Sequence, residues 1–106
     1  MFYQCNSLTK RDLSNLNFQD VTNMSQMLYQ CNSLTELNLS NFDTQNVTDI
    51  NQMFYQCISL RNLNLSNFDA ENGKNLYKMF FECKILREQN VIIKDQKILN
   101  EFNKQY

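Results

Sequence analysis

Four cysteines, Cys5, Cys31, Cys57 and Cys83, have the widest chemical repertoire in this chain, and each stands 26 residues from the next. A thiolate can ligate zinc, bridge to a second cysteine or act as a nucleophile. Zinc sites bring two ligands close together in sequence, as in C-x-x-C; here no two cysteines are nearer than 26 residues. One per repeat, they stack into a column rather than a tetrahedron. A disulfide needs Cα atoms about 4.4–6.8 Å apart, whereas packed helix axes lie roughly 8–10 Å apart. Bridges between repeats are therefore awkward, and the cysteines read as small buried hydrophobes. Histidine is absent, which removes the commonest general base and the commonest metal ligand. Asp43 and Asp69 recur at one repeat position and suit turn capping better than acid–base chemistry. There is no proline and one glycine, Gly73, so phosphate-cradling loops and tight glycine turns are excluded. No catalytic, cofactor-binding or metal-ligating residue is predicted, and no cofactor.

Two further sets of residues could carry contacts. Tyr3, Tyr29 and Tyr55 recur beside Phe2, Leu28 and Phe54. They form either an exposed aromatic stripe that stacks on sugars or bases, or rings packed at a margin with the hydroxyl in water; the second reading is favoured. The chain holds 17 Asn and 10 Gln. Asn15, Asn41 and Asn67 recur after each strand, where an amide can satisfy backbone groups of the neighbouring repeat. Regular placement favours that ladder over a low-complexity bias. The N-x-S/T tripeptides at Asn23, Asn38, Asn46 and Asn64 read as by-products of the repeat.

What must position these residues is the repeat itself. Methionines at Met1, Met27, Met53 and Met79 and leucines at Leu8, Leu34, Leu60 and Leu86 keep the spacing of 26, a solenoid period. The units run 1–26, 27–52 and 53–78, with a fourth starting at 79. Units one and two agree at 15 of 26 positions, and units two and three at 14. In the second unit, Leu34, Leu37, Leu39 and Phe42 follow L-x-x-L-x-L-x-x-F. The alternation at Leu37 and Leu39 predicts a strand with one buried face. Val47, Ile50, Met53, Phe54 and Cys57 then predict about two turns of amphipathic helix, with Thr48 or Asp49 as N-cap. The predicted fold class is an α/β solenoid of about four strand–turn–short-helix units on a parallel sheet. It occupies 1–87, with a divergent C-terminal cap over 88–106, where Ile92, Ile93, Ile98, Leu99 and Phe102 form a strand and a short helix over the last rung.

Ten basic residues stand against 11 acidic ones, a net charge of -1, which argues against a polybasic nucleic-acid or membrane surface. No apolar run is long enough to span a bilayer, and no basic n-region with an apolar core marks a signal peptide.

The string MFYQC-x-SLT-x-LNLSNFDT-x-NVT resembles the leucine-rich repeats of BspA-like bacterial surface proteins, in the variant repeated in mycoplasma and Gram-positive lipoproteins. The resemblance covers Met1 to about Leu86. It implies a curved solenoid with a binding or adhesive role, and it carries no catalytic residues. Arg11 stands where Leu37 and Leu63 stand, and Gly73 and Lys74 replace the Val-Thr.

The outward strand face is the predicted binding surface. It presents Lys10, Asp12 and Ser14, then Glu36, Asn38 and Ser40, then Asn62, Asn64 and Ser66, then Glu88 and Asn90. Repeat proteins bind partners on such extended faces. This one is polar and nearly neutral and lacks aromatic and Arg anchors, which predicts a weak or avidity-dependent protein contact. The partner is expected to be a host or surface protein, and the setting the cell surface or extracellular space, as the resemblance implies. The competing reading is a structural spacer or end piece of a longer array.

The first rung has no neighbour above it, leaving Phe2, Leu8, Leu13 and Leu16 to form an apolar patch. A weak two-fold homodimer through this face follows. Charged substitutions at Leu13 and Leu16 are expected to return the chain to monomer without unfolding it, as read by sedimentation over a concentration series; a strict monomer at high concentration would refute the idea.

Overall fold

The computed structural model describes residues 10–12, 22–40, 42–70 and 74–104. Four strands, β1 (Lys10–Asp12), β2 (Glu36–Asn38), β3 (Asn62–Leu65) and β4 (Val91–Ile93), form one parallel sheet in sequence order. The register of β1 on β2 and of β2 on β3 is one repeat: Lys10, Glu36 and Asn62 are neighbours, as are Asp12, Asn38 and Asn64. Alternation follows from the leucines. Leu37, Leu39, Leu63 and Leu65 are buried, while Asn38 and Asn62 are exposed. Behind the sheet lies one apolar cluster containing Cys31, Cys57, Cys83, Met53, Phe54 and Phe80.

Across the molecule from the sheet, the chain departs from expectation. The spacing predicts helix over 47–57, yet residues 51–56 form consecutive turns, as do 25–30 and 77–82. Gln26, Gln30, Gln52, Gln56, Lys78 and Glu82 all have φ between 50° and 59°. In the first segment Met27 N–H donates to the Met24 carbonyl and Cys31 N–H to the Leu28 carbonyl, both at 3.2 Å. Each such turn puts its left-handed residue third, as a type II turn requires, at a place usually given to glycine. A non-glycine residue there costs roughly 1–2 kcal/mol. The compensation is rung-to-rung bonding. Met24, Gln26, Leu28 and Gln30 donate their N–H groups to the carbonyls of Asp49, Asn51, Met53 and Tyr55 at 2.8–3.0 Å, and Ile50, Gln52, Phe54 and Gln56 repeat this onto the next rung. A helix would spend those donors internally. The 3, 1, 3 spacing of buried residues serves the turns as well as it would a helix. The scarcity of glycine therefore does not exclude glycine-type turns here.

The fourth rung carries two extra residues. β4 pairs Ile92 with Asn64, an offset of 28 rather than 26, and the surplus is absorbed by a 3₁₀ turn over Glu88–Asn90. After β4, Asp95 caps the helix α1 (Gln96–Asn103), accepting from Lys97 N–H at 2.9 Å and Ile98 N–H at 3.0 Å. Its other oxygen accepts from Ala70 N–H at 2.9 Å, which ties the cap to the third rung. Ile98 and Phe102 are buried, and Phe102 meets the Phe80 ring edge-on at 5.4 Å. Phe2, Leu8, Leu13 and Leu16, the expected dimer patch, lie outside the described residues.

Leu39→Ala is expected to cost about 2–5 kcal/mol in chemical denaturation, since Leu39 is fully enclosed. Ser40→Ala, on a half-buried neighbour, should change stability by less than about 0.5 kcal/mol. Equal losses would mean the strand register is wrong.

Candidate functional site

The outward face of the sheet is built by the leucine alternation, which turns every second residue away from the core. Asn38 and Asn62 are exposed on it, with Glu36, Ser40, Asn64 and Ser66 half-buried beside them. Two of these amides are already employed. Asn38 Oδ1 accepts from Ser40 N–H at 2.9 Å, and Asn64 Oδ1 from Ser66 N–H at 3.0 Å. These Asx turns end each strand. β1 puts Lys10 and Asp12 at the matching register positions; Ser14 lies outside the described residues. Glu88 and Asn90, expected as outward residues of the fourth strand, lie instead in the 3₁₀ turn before β4. The two-residue insertion makes Ile92 the partner of Asn64. Ile92 is 49% exposed, so the face ends in an apolar side chain that period counting could not place there.

The cysteines are free and buried at Cys31, Cys57 and Cys83; Cys5 lies outside the described residues. Cys57 Sγ donates to the Leu28 carbonyl at 3.0 Å, and Cys83 Sγ to the Phe54 carbonyl at 2.9 Å. Each thiol thus occupies a carbonyl of the preceding rung. Burial pushes the Cys83 thiol from its ordinary 9.0 to about 12. Burial, with the neighbouring Cys83 and Cys31 adding to it, pushes Cys57 higher still. A thiol held protonated is a poor nucleophile and a poor metal ligand.

The tyrosines also stack. Tyr29 and Tyr55 lie 4.7 Å apart and 3° from parallel, and Tyr55 and Phe81 lie 5.1 Å apart at 20°. Faces occupied by one another are not open to sugars or bases. On either side run amide ladders: Gln26 donates to Gln52 at 2.7 Å, Gln30 donates to Gln56, and Gln56 donates to Glu82 at 2.9 Å. Asn67 donates its amide to the Ser40 carbonyl of the preceding rung; Asn15 and Asn41 lie outside the described residues. Asp43 accepts from Gln45 N–H at 2.9 Å, and Asp69 pairs with the enclosed Lys74 at 3.0 Å. Among the described residues no group of three or more Cys, Asp or Glu side chains could hold a metal ion, and no helix is long and apolar enough to cross a membrane.

A family model described as "Mycoplasma protein of unknown function, DUF285" matches residues 1–104. Neither a search of curated proteins nor one of solved structures finds a match.

The buried thiols make stability fall in alkali. An unfolded cysteine ionises near 9.0 while Cys83 holds its proton to about 12. Between those values the native state binds more protons than the unfolded one, so stability drops by on the order of 1 kcal/mol per pH unit for each thiol. Urea midpoints should fall from pH 8 to pH 10.5, and less steeply in Cys83→Ala. A thiol reagent should react slowly with native protein and rapidly in denaturant; fast native reaction would contradict the burial.

Proposed function

The chain belongs to the family described as Mycoplasma protein of unknown function, DUF285, and from that premise we propose that it is a non-enzymatic binding module. In this reading it is a solenoid of the leucine-rich-repeat kind, akin to BspA-like surface proteins, and works at the cell surface or outside the cell. It meets a protein partner through the outward face of its parallel sheet. The observation that carries the reading is the continuity of that face: Glu36, Asn38, Asn62, Asn64 and Ile92 follow one another at strand-to-strand register, exposed or half-buried. The face is nearly flat and polar with a single apolar end. Such a surface suits a weak contact multiplied by avidity.

A second reading, a structural spacer, is favoured by one observation. The Asn38 and Asn64 side chains are engaged in holding their own turns, as a purely architectural repeat would require.

The two readings part on a variant that leaves those turns alone. Glu36→Lys, Asn62→Asp and Ile92→Glu together should abolish capture of every protein that the immobilised wild-type chain enriches from host surface extract, with the thermal midpoint unchanged. Undiminished capture, or none by the wild type, leaves the spacer reading standing.

A further inference from the structure

The last rung differs from those before it in charge. Residues 74–106 hold seven Lys or Arg and four Asp or Glu, a net of +3, whereas residues 1–73 hold three and seven, a net of -4. The excess gathers beside α1. A groove of about 630 Å³ is lined by Tyr77, Lys78, Phe81, Glu82, Lys84 and Lys104, among others. An adjoining hollow of about 450 Å³ shares Tyr77 and Lys104 and adds Lys97.

The acids in the groove are already engaged. Glu82 accepts from the Gln56 amide at 2.9 Å, and Glu101 pairs with Lys104 at 3.2 Å. Lys78, Lys84 and Lys97 form no ion pair with any described residue. The groove therefore presents uncompensated cations around an apolar floor, where Tyr77 is 59% exposed.

We infer that this groove is a docking surface for an acidic polypeptide segment with interleaved apolar side chains. Three features select that occupant. No arginine lines either hollow, so the bidentate fork that suits a phosphate is missing. The ammonium groups are spread along two hollows rather than converging on one point, which matches a chain of carboxylates. Base or sugar stacking lacks a platform on Phe81: Tyr55 takes one face at 5.1 Å, and Lys78 Nζ, 4.5 Å from the centroid, takes the other. What the rings offer is edge and rim, which an apolar side chain can use.

This surface is separate from the sheet face and stands or falls alone. The test measures anisotropy of a fluorescent peptide of repeated Glu-Glu-Phe against the full chain. Saturable binding should weaken strongly when salt is raised about tenfold. Lys84→Gln with Lys97→Gln, both exposed and outside the core, should weaken it about fivefold with the thermal midpoint unchanged. The sheet-face variant should bind the peptide normally. No saturable binding at low salt, equal binding by the lysine variant, or tighter binding of heparin or phosphatidylglycerol vesicles than of peptide would each overturn the assignment.

Discussion

Alternate backbone N–H groups along the turn segments donate across rungs, and the rest of the structure is arranged so that they can. In 24–31, the N–H groups of Met24, Gln26, Leu28 and Gln30 reach the next rung, while those of Met27, Tyr29 and Cys31 close turns within their own. Every donor has one partner, which a buried backbone demands. The price is a left-handed residue at the third place of each such turn, without glycine. That cost is tolerable because the sheet, at the opposite edge of each rung, is held to the same one-repeat offset by its own bonds. Two ladders at one pitch fix the rung between them, and the apolar interior fills the gap.

This constraint decides what chemistry the chain can do. A thiol at the rung interior is drawn into the ladder as a donor to the preceding rung, and a buried, protonated thiol is inert. A ring at the turn segment is covered by the ring of the next rung. The Asx carboxylates and amides are spent on turn amides. Repetition therefore consumes the reactive groups, and only outward positions remain for contact with other molecules.

The leucine alternation was legible because period two has one structural meaning once a sheet buries one face. The thiol column was legible from spacing alone. The turn segment was misread as helix because buried residues at steps of three and one satisfy a helix and a run of type II turns equally. What separates the two is the backbone of Gln26 and Gln30, and glutamine carries no sequence signal for a left-handed φ. The outward residues of the fourth rung were misplaced because the unit was counted at 26 residues. The two extra residues before Val91 are invisible until the register is known, and they exchange Glu88 for Ile92 on the face.

The amide-rich composition follows from the same stacking. Identical rungs bring identical side chains within about 5 Å of one another, as the ring centroids record. A column of like charges at that spacing repels itself. A column of amides does not, because each carries a donor and an acceptor and can give to one neighbour while receiving from the other; the ladder from Gln30 through Gln56 to Glu82 does this. Charge is admissible at such a position only where the column ends and no further rung repeats it. Lys78 and Glu82 stand in the last rung at the places held by Gln52 and Gln56 one repeat earlier. The end of the array is thus the first place along these columns where the fold permits a charged surface, and the lysine groove lies there.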